Sequence, residues 1–275
     1  MYEYHFGLNK KPFSLSPDPE FLYLGENHQR AMTMLQYGVE NNAGYTLISG
    51  EVGCGKTTLI RYLMSSLDDD YKIGLMSNTH PSFGSTIDLI LLAFDVVSAK
   101  RSKVEKYRTL EKFLIEQYSL GKKVILIIDE AQNLTTVMLE ELRLISNINA
   151  DKDQVLQVVI SGQPEIRALL EKNQLRQFRQ RISSDFHLEP LSCDQTGHFI
   201  DHRLNISGCQ AGRYIFTRRA KRCIHLFAKG TPRLINKYCE LCMVYAYADK
   251  DETIDWRTVM NVMRDKRNNS SLGIS

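Results

Sequence analysis

One stretch constrains this chain more than any other: Gly50-Glu51-Val52-Gly53-Cys54-Gly55-Lys56-Thr57, which fits the pattern G-x-x-x-x-G-K-[ST] at every fixed position. A short apolar strand, Tyr45–Ser49, precedes it, and a helical stretch, Lys56–Leu67, follows. In that context the glycines let backbone N–H groups turn inward around an anion, with the positive end of the helix dipole behind them. Lys56 is expected to reach the β- and γ-phosphates of a nucleotide, and the Thr57 hydroxyl to ligate Mg²⁺.

The surroundings follow the same rhythm. A lead rich in proline and aromatic residues (Phe6, Pro12, Phe13, Pro17, Pro19, Phe21, Tyr23) runs into an amphipathic helix from about Asn27 to Glu40. Strands at Tyr45–Ser49, Ile73–Ser77, Val124–Ile128 and Val155–Ser161 then alternate with helices at Lys56–Leu67, Ser85–Val97, Lys103–Tyr118, Val137–Ile148, Pro164–Leu170 and Gln174–Arg181. Such alternation predicts a parallel sheet covered by helices on both faces. After about Pro190 the strand signal fades, and Thr196–Asn205, Thr217–Lys229, Pro232–Ala248 and Trp256–Asp265 are helical by period. The expected organisation is a lead with the first helix of the sheet lobe (1–44), an αβα nucleotide-binding core (45–190), a small all-helical lid (191–267) and a flexible tail (268–275).

The buried-looking run Val124-Ile125-Leu126-Ile127-Ile128 ends in Asp129-Glu130. Ligands of open α/β sheets gather at the carboxyl ends of strands, so Asp129 is placed to hold the Mg²⁺ shell. Glu130, one residue on, is placed to orient and deprotonate an attacking water. Ser161 and Gln163, closing the strand Val155–Ser161, are candidates to hydrogen-bond the γ-phosphate or that water. Asn78, after the strand Ile73–Ser77, is a candidate to hold Glu130 in an unproductive pose until a partner binds. Each of these three also suits an ordinary polar turn at a strand exit.

Taken together, these blocks resemble the ExeA/GspA/MshM-type AAA+ ATPases of bacterial secretion and surface-assembly systems. The resemblance covers almost the full length. It runs through Phe6-Gly7-Leu8, Pro12-Phe13, Pro17-Asp18-Pro19 and Phe21-Leu22-Tyr23, then His28, Leu35 and Tyr37-Gly38. It continues through Asp129-Glu130-Ala131-Gln132-Asn133-Leu134, Leu139-Glu140-Glu141-Leu142-Arg143, Gly162-Gln163-Pro164-Glu165, Leu175–Ile182 and Gly230-Thr231-Pro232-Arg233-Leu234-Ile235-Asn236. It implies an AAA+ P-loop NTPase whose copies share ATP sites. The nucleotide-binding set becomes Gly50, Glu51, Val52, Gly53, Cys54, Gly55, Lys56, Thr57 and Thr58, with Gln163 and with Arg233 as the arginine called sensor two. An arginine of Leu175–Ile182 is implied as a finger acting in trans: Arg181 first, with Arg179 and Arg176 as alternates. The implied cofactors are ATP and Mg²⁺, and the implied clients are secretion, pilus or exopolysaccharide-export proteins. Two departures stand out. Cys54 occupies a position where the family often has Thr, and the chain stops at Ser275 without the membrane span and peptidoglycan-binding region of larger members.

Composition sets the remaining expectations. Lys+Arg 35 against Asp+Glu 32 leaves a formal charge of +3, so the total is nearly silent. From Arg176 onward, however, seventeen basic residues face ten acidic ones, while the earlier part has four more acids than bases. That basic portion, with Arg218-Arg219-Ala220-Lys221-Arg222, suits DNA, acidic lipid, a neighbouring subunit or plain solvent. A DNA-binding AAA+ regulator of the transposition-helper type is the alternative reading, and a nucleotide-dependent scaffold a third. No apolar run approaches the ~18 residues of a membrane span, and no signal-peptide core is visible. The expected location is therefore cytoplasmic, with membrane association only through a partner. The six cysteines are expected to be free thiols, Cys239 and Cys242 to be core residues, and His198 and His202 to be solvated or capping rather than zinc ligands.

Overall fold

The computed structural model describes residues 1–16, 18–41, 44–77, 84–97, 102–150, 153–210 and 212–270. Its elements are, in chain order, α1 (Tyr2–Phe6), α2 (Glu26–Glu40), β1 (Tyr45–Gly50), α3 (Lys56–Ser66), β2 (Tyr71–Met76), α4 (Thr86–Ala93), α5 (Lys103–Ser119) and β3 (Lys123–Ile128). Then come α6 (Thr136–Ile145), β4 (Asn149–Ala150), β5 (Asp153–Gln154), β6 (Leu156–Gly162), α7 (Glu165–Leu170), α8 (Arg176–Arg179) and β7 (Ile182–Leu188). Four helices close the chain: α9 (Cys193–Ile206), α10 (Arg218–Ala228), α11 (Pro232–Asp249) and α12 (Trp256–Ser270). Two compact units result: a sheet unit (Asn27–Val52 and Leu59–Leu188) and a helical unit (Met1–Glu26, Gly53–Thr58 and Glu189–Ser275).

In the sheet unit the strand order is β2-β3-β6-β1-β7, with every neighbouring pair parallel. All residues of β1 and β6 are buried, as a strand covered on both faces requires. Helix α6 shows how local sequence serves this core. Thr135 caps it by accepting the Met138 N–H, and Met138, Leu139, Leu142 and Ile145 recur on one buried face. That face joins Leu126, Ile128, Val158, Ile160, Tyr45 and Phe178 in one apolar cluster. Tyr45 is 1% exposed and donates its hydroxyl to the Leu142 carbonyl at 3.0 Å. Burial pushes its pKa up to about 12.

Several boundaries differ from expectation, among them the ends of α4 at Ala93, α6 at Ile145 and α12 at Ser270, inside the expected tail. The helix expected over Gln174–Arg181 is a 3₁₀ turn, Asn173–Leu175, followed by the four-residue α8. β7 runs Ile182–Leu188, and Ile182 pairs with Tyr45 across a register shift in β1. Ser183, Ser184, Asp185 and His187 give that strand a polar composition, a weak signal for hydrophobic patterning.

The helical unit has its own core, including Phe199, Ile200, Phe216, Ile224, Ile235, Cys239, Met243 and Val259. Its helices carry the expected punctuation: a Ser192–Gln195 capping box on α9, Thr217 capping α10, and Pro232 at the first turn of α11. Residues 1–44 divide between the two units. Tyr2, Phe6, Leu8 and Phe13 are buried in this second core, whereas α2 belongs to the sheet unit. Phe13 meets Phe216 edge to face at 5.8 Å between centroids. Arg203 of α9, only 6% exposed, donates from Nε to the Pro12 carbonyl at 2.5 Å and lies 4.7 Å from the centre of the Phe21 ring. Burial lowers its pKa to about 10, so the guanidinium keeps its charge at neutral pH.

The minor constellations find structural roles. All six cysteines are free. Cys239 and Cys242 are buried on α11, and burial raises both thiols, that of Cys242 to about 12. His202 Nε2 lies 3.1 Å from the Leu22 carbonyl and its ring sits beside Tyr23, so it helps hold the lead. Burial pushes its pKa down, favouring the neutral imidazole. Among the described residues no group of three His, Cys, Asp or Glu is arranged to hold a metal ion. Among them, too, no helix is long and apolar enough to cross a membrane.

Candidate active site

The loop that follows β1 contributes to both units, and each part has its own geometry. Gly53 and Gly55 take φ of 81° and 100°, left-handed values that keep L side chains away. Helix α3 starts at Lys56, so the N–H groups of its first turn have no partner within the helix. Lys56 is 8% exposed and Cys54 fully buried. In the helical unit, the Arg233 N–H donates to the Gly53 carbonyl at 3.2 Å. A side chain on Gly53 would place its Cβ 2.6 Å from Cβ of Arg233, so the start of α11 and the loop tip need a glycine to meet. Arg233 is thus brought to the loop, but by its backbone.

In the sheet unit, the carboxylates sit at the end of β3. Asp129 is 6% exposed; its N–H donates to the Met76 carbonyl at 3.0 Å. Its Oδ1 accepts from Ser161 Oγ at 2.8 Å and from the Glu130 N–H at 3.0 Å. Glu130 is exposed and adopts φ 53°, ψ 39°, a conformation that costs a non-glycine residue about 1–2 kcal/mol. Strain of this kind gathers at functional positions. Gln132 Nε2 donates to Glu130 Oε2 at 2.5 Å, and Gln132 Oε1 accepts the Gln163 N–H at 2.9 Å. Ser161 and Gln163 are therefore drawn to the carboxylates, Gln163 through its main chain. Asn78 lies outside the described residues.

Two further groups escaped the sequence reading. Ser49, at the end of β1 and fully buried, accepts from Arg167 Nε at 2.5 Å and lies 3.0 Å from His187 Nδ1, while Arg167 also pairs with Asp185. Gln132, within the Asp129–Leu134 block but without an expected role there, is the other. Spacing reveals neither role, since each residue acts across elements.

The arginines of the finger segment separate by environment. Arg181 Nη1 donates to Ser146 Oγ at 2.9 Å, and Nη2 donates to Asn147 Oδ1. The guanidinium thereby closes the C-terminal end of α6. Arg176 and Arg179 are exposed on α8.

A loop with two left-handed glycines, a helix start and a buried lysine fits a nucleotide phosphate chain. The Thr57 hydroxyl of the helical unit and the Asp129 carboxylate of the sheet unit are each the kind of hard oxygen donor that Mg²⁺ takes.

Residues 39–170 match the family model described as an AAA domain. The chain is 36% identical over 249 residues to General secretion pathway protein A of Aeromonas hydrophila, a match covering 90% of this chain and 45% of that protein. It thus spans less than half the length of that relative. Among solved structures, the ORC2 protein of Aeropyrum pernix in its ADPNP–ADP complexes aligns over 92% of this chain and 71% of its own, with a TM-score of 0.66 at 14% identity. Drosophila ORC bound to DNA aligns over 94% of this chain and 65% of its own, with a TM-score of 0.69 at 16% identity. At such identities these two speak for the fold alone. Sheet order, loop and sequence relationship agree on an AAA-type ATPase related to General secretion pathway protein A.

Proposed function

We propose that this chain hydrolyses ATP with Mg²⁺ at an interface between copies of itself and converts the cycle into conformational change in a bacterial envelope-assembly system. The observation that carries the hydrolytic part is the division of labour between adjacent carboxylates. Asp129 is buried and tied to Ser161, as a metal-shell ligand is. Glu130 is exposed and oriented by an amide, as a base toward water must be. Lys56 and the loop residues Gly50–Thr58 hold the phosphates, Thr57 and Asp129 hold the Mg²⁺, and Gln163 and Arg233 complete the nucleotide contacts. Mg²⁺ supplies charge neutralisation on the phosphate oxygens.

For the finger in trans, Arg181 has to surrender its bonds to Ser146 and Asn147 before it can reach a neighbour. Exposed Arg179 and Arg176 have no such cost, and they move ahead of it in our assignment. The envelope role rests on the relationship to General secretion pathway protein A, and pilus, secretion or polysaccharide-export proteins are the corresponding partners. We place the protein in the cytoplasm, reaching the inner membrane through such a partner. The test of the core reading is Glu130→Gln, expected to keep ATP binding, abolish turnover and stabilise oligomers. Turnover at the parental rate overturns the assignment of the base.

A second reading, a DNA-bound regulator, is favoured by Arg218, Arg219 and Arg222, exposed along α10. The same helix weakens it, since Lys221 is already paired with Asp201 at 2.5 Å. Duplex binding with a steep salt slope and DNA-stimulated turnover would establish the second reading over the first.

A further inference from the structure

We infer that Gln132 is a positioning residue for hydrolysis, holding the Glu130 carboxylate in register with the end of β6. The inference rests on the reading of Glu130 as the base and adds the residue that aims it.

The geometry fixes the direction of each bond. Gln132 is the middle residue of the 3₁₀ turn Ala131–Asn133, whose first residue, Ala131, is fully buried. Its side-chain oxygen receives the Gln163 N–H, and a main-chain N–H can only donate. The amide is thereby locked with Nε2 toward Glu130, where it meets a carboxylate oxygen that can only accept when ionised. One end of the bridge is a backbone group of the sheet framework, and the other is a flexible side chain. The framework therefore disciplines the side chain.

Room for the bridge is built in. A Cβ on Gly162 would lie 3.3 Å from both the backbone nitrogen and Oε1 of Gln132, and 3.2 Å from Cγ2 of Ile166. The same strand end thus reaches both carboxylates, Asp129 directly through Ser161 and Glu130 through Gln132. A shift of residues 161–163 moves the proposed metal ligand and the base together, which couples the state of β6 to the aim of Glu130.

Steady-state ATPase measurements on the full chain test this, with nucleotide affinity and thermal midpoint recorded beside them. Misplacing a reacting group by about 1 Å can cost ~10²-fold, so Gln132→Ala is expected to lower kcat by roughly ten- to a hundredfold, with nucleotide affinity and KM unchanged. In a Glu130→Gln background the same substitution should have no further effect on the residual rate, because Gln132 acts only through Glu130. Gly162→Ala, which crowds the bridge without removing it, is expected to lower kcat in the same sense. It keeps the test alive should Gln132→Ala fail to fold. Parental or raised kcat in Gln132→Ala, a loss confined to KM, or an additive effect on Glu130→Gln overturns the inference. Parental turnover in Glu130→Gln alone is a separate outcome, and it overturns the reading of the base instead.

Discussion

Lys56 opens α3 and is 8% exposed, and on the proposed reading it holds the nucleotide phosphates. A charge-assisted hydrogen bond contributes about 1.5–3 kcal/mol. Lys56→Ala is therefore expected to weaken ATP binding about ten- to a hundredfold in calorimetry, and unchanged affinity refutes the loop assignment. Lys56, Asp129 and Glu130 could be proposed from the sequence because the loop and the strand end are each contiguous stretches. The bond from Gln132 to Gln163 joins residues thirty-one positions apart, side chain to main chain, and leaves no periodicity or spacing to read. Ser49 with Arg167 and His187 is hidden for the same reason, since the β1–β7 register sets His187 against Ser49 while Arg167 reaches it from α7.

At the scale of elements, hydrophobic period and capping were sufficient for α6, α10 and α11, whose boundaries lie within one or two residues of expectation except at the last turn of α6. The lead was opaque. Its aromatic residues announce burial, but local sequence carries no information about which core receives them. The structure places them among α9–α12 and secures them with Arg203, whose guanidinium satisfies the Pro12 carbonyl while its plane covers Phe21. The lead is consequently part of the helical unit's interior rather than an appendage. Phe13, 1% exposed, makes the point testable. Phe→Ala in a core typically costs about 3–5 kcal/mol, so Phe13→Ala should lower the unfolding midpoint of the helical unit in chemical denaturation. A midpoint equal to that of the parent shows that the lead contributes nothing to that core.

For the whole molecule, charge and assembly are linked. Cut at Arg176, the sequence shows a markedly basic C-terminal portion. Divided by structural unit, the contrast shrinks: the helical unit has seventeen Lys and Arg against thirteen Asp and Glu, and the sheet unit eighteen against nineteen. Glu3, Asp18, Glu20 and Glu26 of the lead join the helical unit, while Arg176, Arg179 and Arg181 remain with the sheet. Bulk charge attraction is therefore a weak organiser of copies, and in the proposed assembly specific groups at the shared site do that work. On the proposed reading a finger acts in trans and raises turnover by about 10³–10⁵, and the base and the finger of one working site then belong to different chains. Two disabled proteins should then rescue each other. Glu130→Gln retains its fingers, and Arg176→Ala with Arg179→Ala retains its base. In an equimolar mixture, head-to-tail contacts pair an intact base with an intact finger at about a quarter of interfaces. Each variant alone is expected to be nearly idle, while the mixture recovers roughly that fraction of parental ATPase activity. Recovery that grows with total protein concentration follows from an interface formed by association. An inactive mixture, with both variants folded and binding nucleotide, sinks catalysis in trans by these arginines and returns the finger to Arg181, whose release from α6 would then be the step that assembly must drive.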